Sequence, residues 1–183
     1  GSVNRMSPEA PVPIVEVEKR ENRLGGAANV GLNLKALGAK PILCSVIGDD
    51  PKGNEFIELL KGEGMLLDGI IQSSSRITTT KFRVIGNNSQ LLRVDEETTE
   101  NLEEIYQEAI QNKVKEIIQV NDVDVIIFQD YDKGVINAEL IEFVSKEAKE
   151  FDIPVVIDPK KENFMHYKDV TLFKPNLKEI KDG

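Results

Sequence analysis

The sequence predicts an α/β fold in which a mostly parallel sheet is flanked by helices and carries a small antiparallel β lid. Short apolar segments of strand length alternate along the chain with segments whose apolar residues recur at helical spacing. Two further segments alternate polar and apolar residues in twos, which is typical of antiparallel strands. Because a parallel sheet binds its ligands at the carboxyl ends of its strands, we expect functional residues in the loops that follow the strands.

In the first half of the chain, helices and strands alternate. Val30, Leu34 and Leu37 recur at helical spacing, and Gly38 can end that helix. The elements expected in this half are a helix over 27–37, a strand over 41–47, a turn over 48–51, a helix that ends at 62–64 and a strand near 69–72. The strands are short and apolar, as expected of strands that are covered on both faces.

The second half contains the most regular helix of the chain. Apolar residues at helical spacing extend from Leu102 to Ile118, and Asn101 with Glu104 three residues on predicts a capping box at its start. The elements expected after it are a strand over 123–128, a helix over 137–151, strands over 155–157 and 172–173, and a last helix capped by Asn176. Both halves therefore contribute strands and helices to one α/β core.

Two segments, 12–18 and 78–95, predict a small antiparallel sheet that stands off this core. The cluster Gly-Asn-Asn-Ser at 86–89 predicts the turn between the two strands of the second segment. Such a sheet would expose apolar side chains and unpaired edges unless something covered them. We therefore expect a homodimer that is joined through the lids. The apolar residues concerned are Ile14, Val15, Phe82, Val84 and Leu92.

The predicted hairpin also carries charged side chains. Lys81 and Arg83 share one side of its first strand, and Arg93 and Asp95 share one side of its second strand. The sequence does not fix the register, so it leaves open whether all four lie on one face. They form either an ordinary solvated face or a basic patch that binds an anionic ligand.

Composition and charge exclude several classes of function. With 183 residues and 40% hydrophobic content, the chain can bury a core of its own, and one domain, or one domain with a small appendage, is expected. The net charge of -9 argues against a nucleic-acid-binding surface, which needs clustered Lys and Arg. No apolar run reaches the roughly 20 residues of a membrane helix, and no secretory segment is recognisable, so a cytoplasmic location is expected. The one cysteine, Cys44, lies in an apolar run and is expected to be a small buried side chain.

The segment from Arg5 to Asn29 is the first candidate for a ligand site. It joins a proline-rich extended stretch to Gly25 and Gly26, which stand where a helix begins. This arrangement brings bare backbone close to a polar small molecule. The alternative is that the glycines only start a tightly packed helix. Arg5 could reach the same ligand or form a surface ion pair, and the sequence favours neither.

Charged residues follow two of the predicted parallel strands, at the edge of the sheet where ligands bind. These residues are Asp130 and Lys133 after the strand over 123–128, and Asp158 and Lys160 after the strand over 155–157. We expect Asp130 and Lys133 to face a ligand. The alternative for Asp130 is that its side chain only caps a loop.

Seven short motifs follow one another along nearly the whole chain. They are Ser-Pro-Glu-Ala-Pro-Val-Pro at 7–13, Gly-Gly-Ala-Ala-Asn-Val at 25–30, Gly-Asp-Asp at 48–50, Thr-Lys-Phe-Arg at 80–83, Asp-Tyr-Asp-Lys-Gly at 130–134, Asp-Pro-Lys at 158–160 and Pro-Asn-Leu-Lys-Glu at 175–179. In this order they resemble the ribokinase-like carbohydrate kinases. The first and fifth motifs resemble the branch of that family that phosphorylates heptose 7-phosphate.

The resemblance implies a ribokinase-like fold and an ATP-dependent sugar kinase that uses Mg²⁺. The chain would be a partial kinase domain over 1–183, with lid strands at about 11–18 and 76–95 and core segments at about 25–75 and 99–183. Its reaction would transfer the γ-phosphate of ATP to the anomeric hydroxyl of D-glycero-β-D-manno-heptose 7-phosphate. That reaction belongs to the synthesis of ADP-heptose, a precursor of the lipopolysaccharide core.

The resemblance also implies roles for individual residues. The substrate site would comprise Arg5, Gly25, Gly26, Asn29, Lys81, Arg83, Arg93, Asp130 and Lys133. Its three hairpin cations would hold the 7-phosphate, since a dianion needs two or more cations. The nucleotide and phosphate site would comprise Asp158, Lys160, Asn176 and Glu179, with Glu179 supporting Mg²⁺ through water.

The chain departs from the family in the residues of catalysis. The family's catalytic base is an Asp in a Gly-Ala-Gly-Asp motif, and these 183 residues contain no such motif. The family's opening strand and its Gly-Asp-x-x-x-Asp sugar-binding segment are not found either. We therefore expect the base downstream of Gly183 and little phosphoryl transfer by this chain alone. The alternatives are another phosphosugar or nucleoside kinase of the family, or a fragment that only binds a sugar phosphate.

Overall fold

The computed structural model describes residues 1–182, in which strands and helices alternate. The strands are β1 (Ser2–Met6), β2 (Pro13–Glu16), β3 (Ser45–Gly48), β4 (Ile70–Ser73), β5 (Thr80–Gly86), β6 (Ser89–Glu96), β7 (Ile126–Gln129), β8 (Val155–Asp158) and β9 (Leu172–Phe173). The helices are α1 (Gly26–Ala36), α2 (Pro51–Gly62), α3 (Glu104–Val120), α4 (Ala138–Glu150) and α5 (Leu177–Asp182). Within the described range, every helix is too short or too polar to span a bilayer.

Parallel pairing builds the core, and the predicted α/β fold is confirmed. β3 pairs with β4, and β8 lies between β7 and β9, all in parallel. Among the described residues, β3 pairs with β4 alone and β7 with β8 alone, so each keeps one edge without a strand partner. β3 and β7 line one wide cleft of about 2270 Å³, which α1 and β5 also line.

The main hydrophobic core lies between α3, α4 and the strands that they cover. α4 begins as predicted, because Oδ1 of Asn137 accepts a hydrogen bond from the Leu140 N–H at 2.9 Å. Its inner face buries Ile141, Val144 and Ala148 in that core, as the helical spacing predicts. A second, smaller core joins α1 and α2. The main core fixes the carboxyl ends of β7 and β8, where the candidate site lies.

The predicted start of α3 is wrong. The helix begins at Glu104, and its cap residue Glu103 makes no side-chain hydrogen bond, so Asn101 and Glu104 form no capping box. The N–H of Leu102 instead donates to the Gly134 carbonyl at 3.2 Å. This contact ties the residues before α3 to the loop after β7, and such a tertiary contact overrides the local capping pattern.

The strand predicted over 41–47 begins later than expected. β3 starts at Ser45, and Ile42 forms only a single bridge with Leu66. Cys44 packs against the main core as a partly buried side chain. Burial raises the pKa of its thiol to about 11, which keeps it protonated at neutral pH.

The lid consists of two antiparallel sheets, β1–β2 and β5–β6, rather than the single predicted sheet. β1 is a strand that the sequence pattern does not indicate. The two sheets are joined where the Gly1 amino group donates to the Ile85 carbonyl at 3.0 Å and the Val3 N–H donates to Oδ1 of Asn87 at 3.2 Å. Asn87 and Asn88 have φ values of 50° and 62°, as the predicted two-residue turn requires.

Candidate functional site

The register of the β5–β6 hairpin places its charged side chains on one face. Lys81 lies opposite Asp95, and Arg83 lies opposite Arg93. Directly opposite residues of an antiparallel pair project to the same side, so all four share a face. Like charges in that position destabilise a hairpin, and the facing arginines therefore favour an anion beside them.

Ion pairs connect this face to the loop after β7. The Lys81 ammonium donates to Asp95 at 3.0 Å and to Glu97 at 2.7 Å, and the Lys133 ammonium donates to the other Glu97 oxygen at 2.8 Å. Arg93 pairs with Asp95 at 2.9 Å. The hydrogen bonds from Lys133 and then Lys81 lower the pKa of Glu97. This face therefore carries a net charge of +2, since two carboxylates, Asp95 and Glu97, oppose four cations. The four cations are Lys81, Arg83, Arg93 and Lys133.

Asp130 is buried beneath the loop that it begins. Its Oδ2 accepts hydrogen bonds from Asn163 Nδ2 at 2.9 Å and from the Tyr167 hydroxyl at 2.8 Å, and its Oδ1 accepts the Asp132 N–H at 2.9 Å. Burial and the Asp130 charge raise the pKa of Tyr167, so that its hydroxyl remains a donor. This is the loop-capping arrangement that the sequence offers as an alternative. Asp130 therefore shapes the loop that carries Tyr131 and Lys133.

Tyr131 is a candidate site residue that the sequence analysis does not single out. Gly26 has a φ of 53°, in the left-handed region, and a Cβ there would lie 3.7 Å from the Tyr131 ring. Burial and then the charge of Asp158 raise the pKa of Tyr131, while Lys160 opposes them. Tyr131 thus connects the Gly25–Gly26 turn to the strand ends. Its place inside the Asp-Tyr-Asp-Lys-Gly motif is the signal that could have identified it.

The first turn of α1 presents uncovered backbone. Gly25 is the N-cap residue in an extended conformation, with φ of -127°, and no protein atom lies within 4 Å of where its Cβ would be. Asn29 is exposed one turn further along the helix. The first N–H groups of a helix have no intrahelical partner, so this turn can donate to a polar ligand.

A second charged cluster lies where β8, β9 and α5 meet. Lys160 pairs with Glu179, and Lys174 pairs with Asp158 at 2.9 Å. Oδ1 of Asn176 accepts the Glu179 N–H at 3.0 Å, and Oε2 of Glu179 accepts the Asn176 N–H at 2.7 Å. This reciprocal pair is a complete capping box, and the Asn176 N–H followed by Lys160 lowers the pKa of Glu179. The four residues predicted for the nucleotide side therefore lie close together.

A metal ion fits this cluster only in an outer role. In residues 1–182, no group of three or more His, Cys, Asp or Glu side chains is arranged to hold a metal. Both oxygens of Glu179 are already engaged, one by Lys160 and one by the Asn176 amide. A hard cation would therefore meet Glu179 through water rather than directly.

Arg5 lies away from these clusters. It is exposed in β1, opposite Ile14, and β1 contacts the turn of the β5–β6 hairpin. Lys81 and Lys133 are at the other end of the hairpin, next to Glu97. The structure thus brings most of the predicted residues to two clusters and leaves Arg5 apart from both, in the β1–β2 sheet of the lid.

The sequence matches the pfkB family of carbohydrate kinases over residues 2–182. The chain is 39% identical over 183 residues to the bifunctional protein HldE of Helicobacter pylori strain J99, covering 100% of this chain and 39% of that protein. It is also 39% identical over 179 residues to the bifunctional protein HldE of Citrifermentans bemidjiense, covering 98% of this chain and 36% of the relative. The chain therefore spans less than two fifths of the length of these curated relatives.

Solved structures share the fold at low sequence identity. The tetrameric inhibited form of phosphofructokinase-2 from Escherichia coli superimposes with a TM-score of 0.66 at 17% identity, covering 98% of this chain and 58% of that chain. The 2-dehydro-3-deoxygluconokinase of Thermotoga maritima superimposes with a TM-score of 0.62 at 18% identity, covering 86% of this chain and 52% of that chain. The ribokinase-like fold expected from the sequence motifs is confirmed.

Proposed function

Because the chain belongs to the pfkB family of carbohydrate kinases, we propose that it is the sugar-binding and lid portion of an ATP-dependent kinase for D-glycero-β-D-manno-heptose 7-phosphate. The complete protein transfers the γ-phosphate of ATP to the anomeric hydroxyl. One observation carries the substrate class: the hairpin register sets Lys81, Arg83 and Arg93 on one face, next to Lys133. Such a surface suits a sugar that already carries a phosphate.

The charge of this face matches the proposed substrate. A phosphate monoester carries a charge of about -1.5 to -2 at pH 7, and the hairpin face with Lys133 and Glu97 carries +2. Arg83 and Arg93 can each bind phosphate oxygens in a bidentate way, and Lys81 and Lys133 add point charges. A neutral sugar could accept hydrogen bonds from these groups but would gain no charge–charge attraction.

The sugar ring is proposed to lie against the start of α1. The uncovered backbone at Gly25 leaves room for a ring, and the Asn29 amide can both donate to and accept from sugar hydroxyls. Tyr131 is 42% exposed and stands beside Gly26, so its ring can pack on the apolar side of the sugar. Asp130 holds the loop of Tyr131 in place from beneath.

The cluster of Asp158, Lys160, Asn176 and Glu179 is proposed to face the nucleotide phosphates. Lys160 can exchange Glu179 for a phosphate oxygen, and Glu179 can then hold a water molecule of a metal ion. Mg²⁺, when bound, would offset the charge on the ATP phosphates. We propose that the catalytic base lies outside these 183 residues, so that this chain binds and orients the sugar phosphate without transferring a phosphoryl group.

The lid is proposed to form a homodimer. The middle of the hairpin face opposite the cations is apolar, with Phe82 41%, Leu92 55% and Val94 48% exposed, and the Lys52 ammonium lies 5.5 Å from the centre of the Phe82 ring. Covering this face with a second copy would remove apolar surface from water. Light scattering that shows a monomer at micromolar concentration would contradict this assembly. The substitution Leu92→Asp is expected to favour the monomer. Ile105→Asp, at an exposed position of helix α3, is the control and should leave the oligomeric state unchanged.

The substrate assignment is tested by coupled ADP release with the full-length protein. The rate with heptose 7-phosphate should greatly exceed the rates with ribose and with fructose 6-phosphate. Equal or reversed rates would exclude the heptose assignment and favour another phosphosugar or nucleoside kinase. Binding of heptose 7-phosphate without any ADP release would instead favour a protein that only binds the sugar phosphate.

A further inference from the structure

Glu97 lies between two lysines that belong to different parts of the fold. It directly follows β6 at the base of the lid. Its carboxylate accepts hydrogen bonds from Lys81 of β5 at 2.7 Å and from Lys133 of the loop after β7 at 2.8 Å. Two ammonium groups from separate elements thus converge on one carboxylate.

The surroundings of Glu97 are those of an anion site. Its side chain is 24% exposed, and the side chains of Lys81 and Lys133 are 34% and 27% exposed, so a solute can reach all three groups. Arg83 adds a cation on the same hairpin face and forms no ion pair within the described part of the chain. If Glu97 moved away, four cations would face Asp95 alone, and the net charge would rise from +2 to +3.

We propose that Glu97 occupies the position of the substrate's phosphate between Lys81 and Lys133, and that a phosphate monoester displaces it on binding. The inference rests on the proposed function, since it concerns the same phosphate site. A dianionic phosphate outcompetes one carboxylate for two cations, whereas a neutral sugar leaves Glu97 in place. Glu97 therefore raises the selectivity for phosphorylated over unphosphorylated ligands, at the expense of absolute affinity.

The exchange requires only a side-chain rotation. Arg76 donates to the Glu100 carbonyl at 3.1 Å and to the Lys133 carbonyl, which holds the backbone on both sides of the site. Lys81 keeps Asp95 as a partner at 3.0 Å after Glu97 has left. The base of the lid thus stays fixed while the carboxylate leaves.

The test measures phosphate affinity in the full-length protein by titration calorimetry at low salt, with inorganic phosphate as the probe. Glu97→Gln should bind phosphate about tenfold more tightly than wild type, because it removes two partly exposed ion pairs that compete with the ligand. Glu96→Gln is the matched control, since Glu96 lies opposite Thr80 on the other side of β6. Its phosphate affinity should equal that of wild type.

The outcomes separate this inference from the proposed function. Weaker or unchanged phosphate binding by Glu97→Gln would overturn displacement, and weaker binding would show that Glu97 holds the lysines in position. The paired substitution Lys81→Met with Lys133→Met should lower phosphate affinity in both the wild-type and the Glu97→Gln background. If it changed neither, and if heptose 7-phosphate also failed to bind, the phosphate site itself would be refuted. Circular dichroism of each variant confirms that it is folded.

Discussion

Alanine substitutions at two adjacent glycines are expected to separate ligand binding from stability. Gly26 has a φ of 53°, and alanine adopts this left-handed conformation at a cost of roughly 1–2 kcal/mol. The added Cβ would lie 3.7 Å from the Tyr131 ring, which is an ordinary contact and adds no clash. Alanine also restricts the unfolded chain, which stabilises the folded state by about 0.4–1 kcal/mol. Gly26→Ala should therefore lower the free energy of unfolding by about 1 kcal/mol.

Gly25→Ala is the matched substitution. Gly25 has a φ of -127°, which any residue adopts, and no protein atom lies within 4 Å of the new Cβ. Glycine is a somewhat better N-cap than alanine, but the restricted unfolded chain offsets this difference, so stability should change by less than about 0.5 kcal/mol. The methyl group would nevertheless take up room that the proposed sugar site needs. We expect the affinity for heptose 7-phosphate to fall at least about tenfold, or about 1.4 kcal/mol.

Urea denaturation followed by circular dichroism measures the free energy of unfolding of both variants. Titration calorimetry with heptose 7-phosphate measures their affinity for the sugar phosphate. Wild-type affinity in Gly25→Ala would refute the placement of the sugar against this turn. It would leave the glycines as the start of a packed helix. Unchanged stability in Gly26→Ala would refute the left-handed conformation from which its cost is calculated.

Three further outcomes follow from buried or paired groups. Tyr167→Phe removes a hydrogen bond to the buried Asp130 carboxylate and should lower the free energy of unfolding by about 1.5–3 kcal/mol in urea denaturation. A loss below about 0.5 kcal/mol would contradict the hydrogen bond between Tyr167 and the buried Asp130 carboxylate. The Asn176 amide and then Lys160 lower the pKa of the Glu179 carboxyl below its usual value of 4.5 in the folded chain. The ionised carboxylate therefore stabilises the fold above about pH 4.5, and this stabilisation is lost as the pH falls through the lowered pKa. The stability difference between wild type and Glu179→Gln should therefore shrink between pH 7 and pH 3, and a constant difference would exclude the pairing. Burial raises the pKa of the Cys44 thiol from 9.0 to about 11, so iodoacetamide at pH 8 should label the folded chain about a hundredfold more slowly than the urea-unfolded chain.

Elements whose determinants are local could be predicted from the sequence. α4 has its cap, Asn137, and its apolar stripe within a short stretch, and both appear in the structure as expected. The start of α3 could not be predicted in this way. Asn101 and Glu104 have the right spacing for a capping box, but Leu102 hydrogen-bonds to Gly134, which is distant in the sequence. A tertiary contact decided this boundary.

The candidate site shows the same division. The position of Asp130 after β7 follows from the alternation of strands, but the direction of its carboxylate depends on Asn163 and Tyr167, which are 33 and 37 residues further along the chain. Tyr131 lies beside Gly26, which comes from the other half of the chain. Spacing along the sequence identifies the loop, whereas the packing beneath it decides which of its side chains are buried and which are exposed.

The position of the charged hairpin side chains on one face depends on one β-bulge. Outward from the turn, Ile85 pairs with Gln90, but Val84 pairs with Leu92, so Leu91 is an extra residue in β6. The sequence pattern does not mark this irregularity, because Leu91 and Leu92 are identical neighbours and either could continue the alternation.

Without the bulge, the cations would lie on opposite faces. A regular ladder continued from the turn would set Lys81 opposite Val94 and Arg83 opposite Leu92, and it would turn Arg93 to the other side of the hairpin. The extra residue shifts the ladder by one, so that Arg93 faces Arg83 and the basic side chains converge. A basic composition is therefore not enough to build the proposed phosphate site, since the convergence of charge depends on a one-residue shift in register.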